Sequence, residues 1–92
     1  MRIAAGTTFA VEGETPNEVY FLLTGCILKE SMLQKKLKLK NSYFIEGSIF
    51  GETDVMKKRG RTESYTTVSD SYILRLNKNV FAELLEEFDD FN

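Results

Sequence analysis

Six glycines divide the first two thirds of this 92-residue chain into short runs rich in β-branched and aromatic residues. Such side chains suit a pleated, half-buried strand, and glycine between the runs permits reversals that other residues resist. The pattern predicts a mainly β fold of seven or eight short strands. Only the last stretch repeats its apolar residues at helical spacing.

Residues 7–11 form the first expected strand, followed by a turn over residues 12–17. Residues 18–24 are an almost continuous apolar run, which predicts a strand buried on both faces. Gly25 then allows a sharp reversal, so that Ile27 to Glu30 is expected to return beside that strand. Residues 33–40 contain Leu37-Lys38-Leu39-Lys40, a period of two that as a strand sets the leucines on the core face and the lysines in water. The lysines are read there as a solvated face or a protected edge, not as a nucleic-acid or lipid site. Residues 43–50 are apolar but broken at Glu46-Gly47, and residues 63–68 and 72–76 are two more strands joined through Ser69-Asp70-Ser71. Tyr20, Phe21, Leu22, Ile49, Phe50, Ile73 and Leu76 are the expected core.

Val80, Phe81, Leu84, Leu85 and Phe88 fall on one stripe of a C-terminal helix, with Glu83, Glu86, Glu87 and Asp90 opposite. Asn77 is placed to cap it, since its side-chain carbonyl can accept a backbone N–H of the first turn. The unfinished hydrophobic period before Asp89-Asp90-Phe91-Asn92 gives the expectation of a piece cut from a longer protein.

Composition narrows the functions. At 42% hydrophobic and 28% charged, residues 1–92 read as one globular domain near the lower limit of core size. A net charge of −2 carries no basic excess of the kind that neutralises a nucleic-acid backbone. A single cysteine and no histidine exclude a disulfide within the chain, ordinary zinc sites and any mechanism with a histidine base. Cys26 is read as core filling. No apolar run reaches the ~18 residues that span a bilayer, so membrane insertion by this chain is not expected. With the unpaired thiol, this favours a cytoplasmic setting, including the cytoplasmic side of a membrane protein.

The informative segment runs from Phe50 to Ser64. Gly51 allows close approach of the backbone, and residues 52–56 suffice for one helical turn whose free N–H groups can face an anion. Nine positions after Glu52 comes Arg61, whose guanidinium can return from the next strand to the same anion. Glu52 is misplaced beside a phosphate unless it accepts a proton donor such as a ribose 2′-hydroxyl. The plain alternative is that Glu52 and Arg61 pair with each other and staple a loop. Lys57-Lys58-Arg59 is read as a solvated loop that can also raise the local positive potential.

Phe50-Gly51-Glu52, the nine-residue spacing and Arg61-Thr62 resemble the phosphate-binding cassette of cyclic-nucleotide-binding domains. The glycine landmarks around Gly6, Gly13, Gly25 and Gly47 resemble that family's in order, so the likeness covers nearly the whole chain. It implies a β-roll of the double-stranded β-helix or jelly-roll kind, with a short cassette helix and a C-terminal hinge helix over residues 79–88. It also implies a fragment that lacks most of the N-terminal helical segment and the lid helix.

By this resemblance Phe50, Gly51, Glu52, Thr53, Asp54, Arg61 and Thr62 form the ligand site. Gly51, the amides of Thr53 and Asp54, and Arg61 would hold a cyclic phosphate, while Glu52 would hold the ribose. Thr62 falls where many cGMP-responsive members carry a threonine. The ligand is then cGMP or cAMP, with no further cofactor, no metal and no catalytic residue. The partner is an effector region of the parent protein. Lys57 to Ser64 is similar to the cassette ending of hyperpolarisation-activated channels, so a channel pore comes first and a kinase domain second. Two departures stand out: Asp54 replaces a small residue, and Glu63 adds a second negative charge. They open the alternative of a degenerate module that binds no nucleotide and serves as a spacer or docking surface. A cupin-type enzyme is a third reading, set back by the missing histidines.

Overall fold

The computed structural model describes residues 1–91, with side chains through Glu87. Its elements are β1 (Arg2–Ile3), β2 (Thr8–Ala10), β3 (Glu18–Thr24), β4 (Ile27–Glu30), α1 (Met32–Lys36), β5 (Ser42–Phe44), β6 (Ile49–Phe50), α2 (Glu52–Met56), β7 (Ser64–Thr67), β8 (Ser71–Asn77) and α3 (Lys78–Phe91). The eight strands form two antiparallel four-stranded sheets, ordered β1-β8-β3-β6 and β2-β7-β4-β5. This is the expected β-roll, with the short helix after Phe50 and the longer one at the C-terminal end.

The two sheets bury a common core between them. Ile3, Tyr20, Leu22, Phe50 and Ile73 come from one sheet; Ala10, Ile27 and Tyr65 come from the other. Phe50 is the keystone. Its ring stacks on Phe44 at 4.5 Å between centroids and on Tyr20 at 5.2 Å, and meets Tyr65 edge-on at 5.2 Å. Aromatic contacts of this kind add about 0.5–1.5 kcal/mol each to the area they bury. Because Phe50 is anchored in both sheets, the segment that follows leaves from a fixed point.

Four expectations are corrected by the sheet topology. Ile27–Glu30 does not return beside β3: it pairs with β5 and β7 in the other sheet, while β3 pairs with β6 and β8. Gly25 is the crossing point, at φ +114, and a Cβ there would overlap the Ser71 side chain and stand 2.8 Å from its Cα. β3 is buried on both faces only in its first half, where Val19 and Tyr20 point to opposite faces and both are buried; at its end Leu23 and Thr24 are exposed. Among the expected core residues Ile49 is exposed and Phe21 and Leu76 are half-buried.

The fourth correction concerns residues 33–40, which do not continue as a strand. Ser31 caps a single helical turn by accepting the Gln34 N–H at 3.0 Å, and Lys38 closes that turn at φ +54. The Lys38 N–H bonds to the Lys35 carbonyl and the Leu39 N–H to the Gln34 carbonyl, the paired bonds of a Schellman ending. Leu37 and Leu39 are therefore 57% and 59% exposed instead of facing the core.

Asn77 caps α3 as expected: its side-chain oxygen accepts the Asn79 N–H at 2.8 Å. Val80, Leu84 and Leu85 on the apolar stripe stay exposed, and Phe81 is half-buried. The side chains of Phe88 and Asp90, expected on this helix, lie outside the described residues. Among the described residues no helix is long and apolar enough to cross a membrane.

Candidate functional site

β6 delivers Phe50 into the core, and the chain then turns into α2 through Gly51, at φ +81. A Cβ on Gly51 would stand 2.6 Å from the Nη1 atom of Arg61 and 3.3 Å from the Tyr20 ring, so only glycine leaves room for the guanidinium beneath it. α2 spans Glu52–Met56, the single turn expected from the sequence. It ends in the same Schellman pattern as α1, with Lys58 at φ +51, the Lys58 N–H on the Val55 carbonyl and the Arg59 N–H on the Asp54 carbonyl.

A cleft of about 290 Å³ opens beside this turn. That is at the small end of the roughly 300–1,000 Å³ common for ligand sites. Phe50, Gly51, Glu52, Thr53, Asp54 and Thr62, six of the seven residues predicted for the site, line it. Lys29, Arg59 and Glu63 complete its charged lining. The Glu52 Oε2 atom is buried without a hydrogen-bond partner. A buried carboxylate oxygen left unpaired costs free energy until a donor reaches it.

Arg61 is the seventh predicted residue, and it is turned away from the cleft. Its side chain is buried and donates from Nη1 to the Gly51 carbonyl at 2.7 Å and from Nη2 to the Glu18 carbonyl at 2.6 Å. The guanidinium lies 5.4 Å from the Tyr20 ring centroid and 5.7 Å from that of Tyr65. Its backbone is held as well, bonded in both directions to the Gly13–Glu14 turn. Burial raises the Tyr20 phenol above its ordinary range and pushes that of Tyr65 up to about 12, against the opposing pull of Arg61.

Asp54 points inward, between two arginines. Its carboxylate is 2.9 Å from Arg59 Nε and 3.8 Å from Arg61 Nη1, and Thr62 donates its hydroxyl to it at 3.4 Å. Asp54 is 3% and Arg61 4% exposed, so their attraction is little screened. The simple Glu52–Arg61 staple does not form: the acid beside Arg61 is Asp54.

Sequence reasoning placed Arg59 in a solvated loop, whereas it lines the cleft and holds Asp54. The signal was its five-residue spacing from Asp54, which a Schellman ending converts into contact. Lys29 was not anticipated because it arrives from β4 of the opposite sheet, and nothing local marks it. Among the described residues no cluster of Cys, Asp and Glu is arranged to hold a metal ion.

Residues 1–88 match the family model of the cyclic nucleotide-binding domain. The chain belongs to the cyclic nucleotide-binding domain family. No curated protein matches the sequence. Among solved structures the fold is similar to that of PKAR CBD2 with Sp-2Cl-cAMPS bound, at a TM-score of 0.82 and 20% identity. It is also similar to the EAL enzyme Bd1971 in its cAMP-bound form, at 0.79 and 20%, and to the Thermus thermophilus catabolite activator protein, at 0.79 and 18%. These matches cover 99%, 94% and 97% of this chain but only 59%, 23% and 43% of the other chains. Identities this low carry the fold alone. Within this cyclic nucleotide-binding domain Asp54 is an internal anion set against Arg61.

Proposed function

We propose that this domain is a cyclic-nucleotide sensor, a non-enzymatic regulatory module whose cassette cleft takes cGMP or cAMP. The observation that carries the reading is the buried, unpartnered Oε2 of Glu52, a residue that lines the cleft. A ribose 2′-hydroxyl supplies the missing donor, and among the described residues none does so. The phosphate then lies at the start of α2, over the Thr53 and Asp54 amides, where backbone dipoles favour negative charge. Arg59 lines that cleft already, and Arg61 reaches the phosphate by giving up the Gly51 carbonyl and Asp54. The Thr62 hydroxyl at the cleft rim is the group available to a purine base, which favours cGMP.

The family supports this reading, and the nucleotide-bound neighbours are in keeping with it. Bd1971 is described in both cAMP-bound and cGMP-bound forms, so the fold does not choose the base. The partner is an effector region elsewhere in a cytoplasmic parent protein, a channel pore first and a kinase domain second.

A second reading has an observation of its own: Asp54 supplies from within the anion that a ligand would bring. In that reading the roll is a docking or spacer module with its cassette filled internally. Calorimetric titration with cGMP and cAMP separates the two. Saturable binding that weakens at least tenfold in Glu52→Gln supports the sensor, since the substituted amide no longer offers a charged acceptor to the ribose. No heat from either nucleotide at millimolar concentration supports the docking module.

A further inference from the structure

The segment between β4 and β5 presents an apolar surface that the cassette does not explain. Met32, Leu33, Leu37 and Leu39 are 71%, 64%, 57% and 59% exposed. Lys35, Lys36, Lys38 and Lys40 are interleaved with them, and residues 31–41 contain no acid. The rest of the chain is correspondingly acidic, since the net charge of the whole is −2.

The segment is held in this display by its own hydrogen bonds. Ser31 caps one end of α1, the Schellman ending at Lys38 closes the other, and Gln34 Nε2 donates to the Lys40 carbonyl at 3.0 Å. The acids at its base are occupied: Glu12 accepts the Met32 N–H at 2.9 Å and Glu30 lies 3.4 Å from Lys35. Among the described residues Lys36, Lys38 and Lys40 have no ion-pair partner. None of these lysine or leucine side chains lines the cassette cleft, and all of them are exposed, so what they offer is an open surface.

We propose that this loop is a docking site for an anionic lipid bilayer. Leucine and methionine side chains enter the boundary between headgroups and acyl chains, and the lysines keep their charges among the phosphates while their stems lie along the apolar layer. An exposed surface that lines none of three clefts among the described residues suits a broad anionic surface, whereas a peptide partner calls for a groove. The docking is peripheral and independent of any bilayer-spanning helix.

The test is co-sedimentation of the full 92-residue chain with vesicles of phosphatidylcholine alone and of phosphatidylcholine containing phosphatidylserine. Binding is expected only to the anionic vesicles and should weaken as salt is raised. Each lysine near the surface is worth about fivefold in partitioning, so Lys36→Gln with Lys38→Gln should lower it about 25-fold. Leu37→Ser with Leu39→Ser should lower it by about the same factor, since each leucine is more than half exposed before it docks. All four positions are solvent-exposed, so circular dichroism should show an unchanged fold. Failure of the wild-type chain to bind anionic vesicles overturns the proposal, as does binding that ignores the paired lysine substitutions. Concentration-dependent self-association abolished by the leucine pair, without vesicle binding, also overturns it and reassigns the loop to a protein partner.

Discussion

Replacing Asp54 with alanine is the perturbation that tests most of the site at once. The Asp54 carboxylate lies 3.8 Å from Arg61 Nη1, and both side chains are buried. Unit charges about 4 Å apart at an effective dielectric constant of about 20 attract by roughly 4 kcal/mol. Removing one partner of a buried pair costs about 3–5 kcal/mol, because the other charge stays behind uncompensated. Arg61 keeps the Gly51 and Glu18 carbonyls in Asp54→Ala, which puts the loss at the lower end, about 3 kcal/mol. Arg59 is partly solvated, and its share is small.

In a domain of this size each kcal/mol moves the melting temperature by about 4–8 °C, so ligand-free Asp54→Ala should melt about 12–24 °C below wild type. A cyclic phosphate supplies the missing anion, and part of the roughly 4 kcal/mol returns as affinity. Binding of cGMP or cAMP should therefore tighten by about 10–100-fold, equivalent to about 1.4–2.8 kcal/mol. Thermal melts with and without nucleotide, together with calorimetric titration, read both quantities. Asp54→Asn keeps the shape and isolates the charge. A lower melting temperature with unchanged affinity would refute the idea that the phosphate and Asp54 compete for Arg61. An unchanged melting temperature would refute the buried pair itself.

Gly51→Ala should destabilise the fold by about 1–3 kcal/mol through its positive φ and the clash with Arg61, and denaturant unfolding measures this. Raising the pH should weaken the fold through Tyr65. Its folded phenol is raised from 10.0 to about 12, so the stabilisation is complete below pH 10 and is lost as pH climbs towards 12. The loss amounts to roughly 3 kcal/mol. Tyr65→Phe should remove most of that decline in melts taken across the same pH window, and an equally steep decline in the variant would count against the assignment.

Much of the architecture was legible because it depends on local chemistry. Runs of β-branched and aromatic residues between glycines announced the strands. The apolar stripe behind Asn77 announced α3, and the Gly51–Met56 segment announced α2. These features rest on what neighbouring residues permit one another, which the order of residues already contains. Six of the seven residues expected at the site line one cleft: five are contiguous, Phe50 to Asp54, and Thr62 follows eight positions later.

What the sequence could not convey depended on which distant surface each segment would meet. The alternation at Leu37-Lys38-Leu39-Lys40 satisfies a strand as well as it satisfies the end of a capped turn, and only the absence of a receiving core face decides between them. Ile27–Glu30 could follow β3 or cross to the opposite sheet, and the close approach of Ser71 to Gly25 belongs to the crossing. Arg61 shows the distinction most clearly. Its spacing from Glu52 is a property of the chain, but its direction is not: two carbonyls, two aromatic rings and the Asp54 carboxylate surround it. The sequence by itself determined the roll and the short helical turn after Gly51. The tertiary structure decided what the cassette's charges face, because a long cationic side chain follows the best-satisfied environment within its reach.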